Sequence, residues 1–287
     1  MYENKELNEI EEIFGFGWYS KVLNENPQIK SLPIDQQIEW IRNNSIHGQT
    51  YFFRDNLINS TIENYVIPSC DKLPSRLAFV GCSDGREVYS VLVQGWKKED
   101  SFQLTGYDSN PELIQEAKNG GSEIKINSKG FRINSTYSVE NYLLDEWNKF
   151  GAKDYAYIVT PQQNNSSWSD ITMTKSARKK VAFEIHNIVK GPLPKIYDAI
   201  IISNVLCHYA IKGREIIIKN IAKSLNQNGW LIAESYVSGS ANSAKEYDTF
   251  MNNLSSLGFE KQKIVIPTYF SQTHDVSSWS RAYRKKF

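Results

Sequence analysis

The segment 81–85, with the sequence Gly-Cys-Ser-Asp-Gly, lies between a predicted strand and a predicted helix. As G-x-S-x-G it could form the nucleophile elbow of an α/β-hydrolase, in which Ser83 attacks an acyl group and Asp248 and His274 complete a triad. As a glycine-rich turn it would let the backbone approach a nucleoside cofactor, with helix N-terminal amides facing the cofactor's negative end. A tight turn without a ligand is the third alternative, since glycine tolerates positive φ.

The position of this segment in the chain favours the cofactor turn. Only helical-looking sequence precedes residue 77, whereas a hydrolase elbow normally follows several strands. Asp108 ends the next predicted strand, where a carboxylate can accept hydrogen bonds from ribose hydroxyls. The G-x-G-x-x-G spacing of a pyrophosphate turn is absent, so the ligand expected here is a nucleoside without pyrophosphate.

Two kinds of pattern follow one another along the chain. Apolar residues at helical spacing predict a small N-terminal helical cap over residues 1–70; they include Leu7, Ile10, Ile13, Phe14, Ile38 and Ile41. Residues 71–287 alternate between strands and helices, which predicts a doubly wound α/β sheet. The predicted strands are 77–80, 103–107, 197–203 and 230–233, with a terminal pair at 264–266 and 278–283, and the predicted helices are 87–96, 111–118, 213–225 and 247–257.

The region of about 70 residues between the helix ending at Lys118 and the strand at Tyr197 is too long for a single βα unit. It contains strand-like runs at 155–159 and 181–185, and a polar, loop-like run at 162–170. We therefore predict an inserted subdomain over about residues 119–185.

Composition excludes several classes of protein. The chain has 33 Lys and Arg residues against 32 Asp and Glu, which gives no general electrostatic reason to bind nucleic acid or an anionic membrane. No apolar run approaches the length of a membrane span, and the charged N-terminus is unlike a signal peptide, so we expect a cytoplasmic protein. The three cysteines and four histidines have no ligand spacing, so no metal site is predicted.

Five blocks, in order, resemble the CheR-type S-adenosylmethionine-dependent methyltransferases, which form methyl esters on glutamate side chains of bacterial chemoreceptors. They are 49–55 (QTYFFRD), 80–90 (VGCSDGREVYS), 106–110 (GYDSN), 183–188 (FEIHNI) and 197–209 (YDAIIISNVLCHY). The resemblance implies a Rossmann-like class I methyltransferase sheet with an inserted β-subdomain. It also implies S-adenosylmethionine as the cofactor, with S-adenosylhomocysteine as its product.

The resemblance also implies roles for single residues. Gly81 and Ser83 would meet the methionine part of the cofactor and Asp108 its ribose, while Asn187 and Ile188 would lie beside the adenine. The cofactor and acceptor end would be lined by Thr50, Arg54, Glu87, Ser203 and Asn204. Arg54 and Glu87 could instead form a surface ion pair, and Asn187 could be a turn residue.

The nature of the acceptor decides which catalytic residues are needed. A carboxylate is ionised at neutral pH and needs only alignment, which the Arg54 guanidinium could supply by gripping one oxygen. Ser203 and His208 stand where the family pattern has Arg and Tyr, and the cap is short, so a chemoreceptor is not the expected substrate. We expect a carboxyl O-methyltransferase of another peptide or protein, gripped by the insert.

Two other functions stay open. With His208 as a base, the chain would methylate a hydroxyl or carboxyl group of a small natural product. A module that binds the nucleoside without transferring a methyl group is the other alternative.

Overall fold

A computed structural model describes residues 5–15, 17–44, 56–94, 100–120, 124–127, 156–159, 168–234, 241–264 and 280–286. Thr50, Arg54 and His274 lie outside the described residues, as do 162–167 of the predicted polar loop. The helices of the described part are α1 (Lys5–Phe14), α2 (Trp18–Glu25), α3 (Ile34–Asn44), α4 (Asn56–Thr61), α5 (Arg86–Gln94), α6 (Pro111–Asn119), α7 (Lys175–Lys179), α8 (Ile211–Ser224) and α9 (Ala241–Asn252).

Ten strands form two sheets in the described part of the chain. They are β1 (Ser75–Val80), β2 (Phe102–Asp108), β3 (Ile124–Asn127), β4 (Ala156–Val159), β5 (Trp168–Met173), β6 (Val181–Ile185), β7 (Tyr197–Ser203), β8 (Leu225–Glu234), β9 (Phe259–Gln262) and β10 (Ser280–Lys285). The large mixed sheet has the order β6-β2-β1-β7-β8-β10-β9, and the small sheet has the order β3-β5-β4. This is the doubly wound α/β class predicted from the alternating pattern.

The chain divides into two compact units, one comprising Gln49–Ile185 and the other Met1–Gly48 with His186–Phe287. In the first unit, β1 pairs with β2 and β2 with β6, all parallel. The residues of β1 from Leu77 to Val80 are at most 4% exposed, as expected of a strand buried on both faces. The register pairs Val80 with Tyr107, so the residues that follow both strands lie at the same edge of the sheet.

The insert differs in two details from the prediction. Its antiparallel sheet pairs β5 with both β3 and β4, and β5 begins at Trp168, inside the run predicted to be a loop. Backbone pairing on both sides outweighs the polar composition there. The run 181–185 is a strand as predicted, but β6 pairs with β2 in the large sheet, because its apolar residues Val181 and Phe183 are buried there.

Hydrogen bonds fix both ends of α6, and those at its C-terminal end also position the insert. The Asn110 side chain accepts hydrogen bonds from the backbone amides of Glu112 and Leu113, and Pro111 occupies the first turn, which explains the predicted helix start. Gly120 ends α6 with φ 77°, and its carbonyl accepts a hydrogen bond from Met173 N at 3.2 Å. The two ends of the insert therefore meet.

In the second unit β7 pairs parallel with β8, and β10 pairs antiparallel with both β8 and β9. The terminal strand pair was predicted at 264–266 and 278–283. The described strands are Phe259–Gln262, which ends before Ile264, and Ser280–Lys285, while 265–266 and 278–279 lie outside the described residues. Gly258, at φ 84°, makes the turn that brings Phe259 opposite Lys285. This turn sets the register of β9 against β10.

Within the range predicted as a helical cap, α1, α2 and α3 are helices, and their residues Ile10, Ile38 and Ile41 are buried. The Glu11 carboxylate accepts hydrogen bonds from the backbone amides of Gly17 and Tyr19 and so satisfies the free N–H groups at the start of α2. The carbonyl of Ile13 accepts a hydrogen bond from Ala210 N at 2.9 Å, which attaches α1 to the start of α8.

Candidate functional site

The turn 81–85 connects β1 to α5 and needs an unusual backbone. Gly81, Ser83 and Gly85 all have positive φ, at 71°, 52° and 84°. Ser83 therefore occupies a conformation that residues with a side chain seldom adopt. The amides of Gly81 and Cys82 both donate to the Tyr107 carbonyl, at 2.8 and 3.0 Å, which fastens the turn to the end of β2.

The structure brings two of the predicted cofactor residues, Ser83 and Asp108, into direct contact. Asp108 Oδ2 accepts a hydrogen bond from Ser83 N at 2.8 Å, and Oδ1 accepts one from Asn110 N at 2.9 Å. These two donors fix the carboxylate plane at the carboxyl end of β2. A carboxylate oxygen can accept more than one hydrogen bond, so a ligand hydroxyl is a chemically suitable donor to this group.

The Phe183 ring packs against the turn 81–85, a contact that the sequence did not predict. A Cβ at Gly85 would lie 2.7 Å from the Phe183 ring, and one at Gly106 would lie 2.6 Å from it. Both glycines are thus needed for the ring to pack beneath the turn. The block 183–188 contained this residue, but sequence spacing alone does not show which side chain approaches a backbone.

Acidic groups surround the turn. Burial raises the pKa of the Cys82 thiol well above its ordinary value, and the carboxylates of Asp108, Asp84 and Glu87 raise it further. Burial also raises the pKa of Asp84, against the effect of Arg86, whose guanidinium lies 2.9 Å away. Glu87 is buried in the first turn of α5, at 8% exposure, which does not fit the alternative of a surface ion pair.

In the second unit, Asn187 and Ile188 lie in the turn that follows β6. Asn187 Oδ1 accepts a hydrogen bond from Val189 N at 3.0 Å, so its oxygen serves the turn, as the alternative interpretation of this residue expected. The Ile188 side chain is buried, and its carbonyl accepts a hydrogen bond from Asn220 Nδ2 on α8 at 2.7 Å.

Ser203, Asn204 and His208 occupy the end of β7 and the short helical turn Leu206–His208. Asn204 has a positive φ of 53°, and within the described residues the buried Ser203 hydroxyl has no hydrogen-bond partner. Burial lowers the pKa of the His208 imidazole, against a hydrogen bond to the Asn204 backbone that raises it, and Lys21 lowers it further. His208 is therefore neutral at pH 7.

The acid proposed for the hydrolase triad is engaged elsewhere. Asp248 on α9 forms an ion pair with Arg281 of β10 at 2.6 Å. Among the described residues no group of His, Cys, Asp and Glu could hold a metal ion. The helices within the described ranges also include none long and apolar enough to cross a membrane.

Comparison with known proteins gives one family match. Residues 152–248 match the family described as CheR methyltransferase, SAM binding domain, which confirms the resemblance over that part of the chain. No curated protein matches the sequence.

Three similar solved structures illustrate the neighbours of this fold. A TehB-like SAM-dependent methyltransferase from Corynebacterium glutamicum is 14% identical, with 88% of this chain and 97% of that chain covered and a TM-score of 0.44. A magnesium protoporphyrin IX methyltransferase from Synechocystis is 14% identical, with 93% and 95% covered and a TM-score of 0.40. The N-methyltransferase NodS from Bradyrhizobium japonicum is 12% identical, with 94% and 98% covered and a TM-score of 0.43.

Proposed function

We propose that this S-adenosylmethionine-dependent methyltransferase forms a methyl ester on a carboxylate of a peptide or protein, at its C-terminus or on an acidic side chain. The observation that carries the proposal is the match of residues 152–248 to a CheR methyltransferase domain, a span that includes β7 and the turn after it. The departures at Ser203 and His208 from the family pattern favour an acceptor other than a chemoreceptor.

The turn after β1 suits S-adenosylmethionine in charge and in shape. The cofactor carries a sulfonium and an ammonium cation, and the carboxylates of Asp84, Glu87 and Asp108 lie around the turn, where Asp84 pairs with Arg86. Gly81 and Gly85, at positive φ, let the turn close tightly at the end of β1, and Asp108 lies at the carboxyl end of β2, where a carboxylate can accept hydrogen bonds from ribose hydroxyls. When bound, the cofactor supplies a methyl group that an ionised carboxylate can accept without a general base.

The remaining site residues have proposed roles. Gly81, Ser83 and Glu87 hold the methionine part, and Asn187 with Ile188 lies against the adenine. Thr50, Ser203 and Asn204 line the acceptor end. Arg54 grips one oxygen of the acceptor carboxylate, which leaves the other oxygen in position to react.

The insert is the proposed grip for the peptide. Among the described strands of the insert, β5 lies at the centre of the sheet, and β3 and β4 lie at its two edges. An extended peptide can add to such an edge through main-chain hydrogen bonds, while the near-neutral charge of the chain favours recognition by local contacts.

The chemical stability of the product tests the proposal. The protein is incubated with cell extract and methyl-labelled S-adenosylmethionine, and the labelled products are separated by mass spectrometry. A methyl ester releases labelled methanol in alkali, which is the expected result. A product that keeps its label in alkali would contradict a carboxylate acceptor.

A hydroxyl of a small molecule is the second candidate acceptor, and one observation favours it. Because the His208 imidazole has a lowered pKa, it is neutral at pH 7 and able to accept a proton. In this alternative His208 is a catalytic base, and the labelled product is an alkali-stable ether.

A further inference from the structure

Arg214, in the first turn of α8, has a buried side chain, with 5% exposure of the residue. Removing a guanidinium from water is costly unless its donors are satisfied. An apolar side chain would fill the same space without that cost. The charged group therefore needs an explanation other than packing.

The contacts of Arg214 join three elements of one unit. Its Nε donates a hydrogen bond to the Leu206 carbonyl at 3.0 Å, and its Nη1 donates to Glu246 Oε1 on α9 at 3.1 Å. The guanidinium also lies over the rings of Tyr247 and Phe250, at 5.3 and 5.9 Å from their centres. A planar fork can meet these directions together, and a lysine ammonium cannot.

The element fixed in this way is the turn between β7 and α8. It begins with Asn204 at positive φ and includes Leu206–His208, a single short helical turn. The Leu206 carbonyl accepts hydrogen bonds from both Tyr209 N and Arg214 Nε. Arg214 thus supplies a directional contact between this strained turn and α9.

We infer that Arg214 is a positioning residue for methyl transfer, which holds the turn carrying Asn204 and His208 in the geometry that the acceptor requires; this rests on the proposed function. Arg214 contacts the turn through its backbone and acts through the residues on it.

The test compares Arg214→Lys with Arg281→Lys as a matched control. Arg281 is also an arginine with little exposure, 11% for its side chain, and it pairs with Asp248 on the same helix α9. Its ion pair joins α9 to β10, whereas the contacts of Arg214 join α9 to the turn. Glu246→Gln is a milder variant that leaves Arg214 in place and removes the charge on its partner. It decides the outcome if Arg214→Lys does not fold.

Steady-state kinetics and the titration of His208 give the readouts. We expect Arg214→Lys to lower kcat by about 10- to 100-fold, since a small misplacement at a reacting site has effects of that order, and to leave the KM for S-adenosylmethionine within about two-fold. Glu246→Gln should lower kcat in the same direction. Arg281→Lys should leave kcat within about two-fold even where it lowers the unfolding temperature.

The His208 imidazole reports on the turn independently of the acceptor. The NMR resonance of His208 is assigned as the one that is lost in His208→Phe. The imidazole faces the charged group of Lys21 and the backbone carbonyl of Asn204. Loosening the turn admits water, so the His208 pKa should rise towards its ordinary value of about 6.5 in Arg214→Lys. An unchanged pKa with unchanged kcat, or equal losses of kcat in both arginine variants, would overturn the inference. An alkali-stable product would contradict only the carboxylate acceptor.

Discussion

At the scale of single residues, Asp108 is the candidate cofactor residue whose geometry is best defined. Both of its carboxylate oxygens already accept a backbone amide, from Ser83 and Asn110. An asparagine has only one oxygen, so its NH₂ group would face one of these N–H donors. The change would therefore affect both the proposed ribose contact and the turn fastened by Ser83 N.

We expect Asp108→Asn to weaken binding of both S-adenosylmethionine and S-adenosylhomocysteine by roughly 10- to 100-fold, the effect of losing a hydrogen bond to a charged acceptor. Isothermal titration calorimetry measures both affinities. Asp198→Asn is the control, since Asp198 accepts a hydrogen bond from Asn226 Nδ2 at 2.5 Å at the other end of β7. Full affinity in Asp108→Asn would remove Asp108 from the cofactor site.

His208 separates the two candidate acceptors through the pH dependence of the rate. Because burial lowers its pKa, the imidazole is already neutral at pH 7 and becomes protonated only below its ordinary value of about 6.5. For a carboxylate acceptor we expect kcat/KM to be flat between about pH 5 and 8, a range that includes the protonation of His208, and His208→Phe to keep that profile within about ten-fold of the original rate. A 100-fold loss, together with disappearance of an acidic limb, would instead identify His208 as the base of a hydroxyl methyltransferase.

At the scale of elements, the contact of α1 with α8 depends on a glycine. A Cβ at Gly213 would lie 2.5 Å from the Ile13 carbonyl oxygen, a backbone atom that cannot rotate away. Phe14 and Tyr209 stack beside this contact with ring centres 5.0 Å apart. The cap is therefore packed against the start of the helix that carries Arg214.

We expect Gly213→Ala to lower the free energy of unfolding by about 1–3 kcal/mol, although alanine has the higher helix propensity, because overpacking forces α1 and α8 apart. Urea denaturation measures the change. Gly191→Ala is the matched control, since a Cβ at Gly191 meets nothing within 4 Å, and it should change stability by no more than about 0.5 kcal/mol. Equal effects in the two variants would argue against the close contact.

The elements were predictable where one local pattern dominates. The apolar run predicted β7 correctly, and the Asn110–Pro111 pair predicted the start of α6. Both signals depend only on neighbouring residues: a strand buried on both faces is continuously apolar, and a helix cap is a local motif. The place of β6 in the large sheet was not predictable, since strand pairing depends on residues distant in the chain. The packing of the Phe183 ring against Gly85 and Gly106 was not predictable for the same reason.

At the scale of the whole molecule, the residues that the motifs indicate belong to different units. Gly81, Ser83, Glu87 and Asp108 belong to Gln49–Ile185, and Asn187, Ser203, Asn204 and His208 belong to the other unit. Motif order along the chain indicated these residues together, but it did not show that the Asn187 oxygen accepts a hydrogen bond within its own turn. That distinction needs the hydrogen bonds of the folded chain.

The insert can be tested apart from the cofactor turn, because its two ends meet at the hydrogen bond from Met173 N to the Gly120 carbonyl. Replacing residues 121–172 with a short glycine-serine loop closes that gap while retaining α6, α7 and β6. Loop closure over so few residues costs little free energy, and Arg178 still donates to the Asn119 carbonyl at 3.0 Å.

We expect the shortened protein to bind S-adenosylmethionine within about two-fold of the full chain and to lose transfer to its peptide acceptor by about 100-fold or more, since the acceptor is no longer held in place. Calorimetry and transfer of the methyl label measure the two effects on the same preparation. Transfer at the full rate with the insert removed would show that the acceptor is held elsewhere.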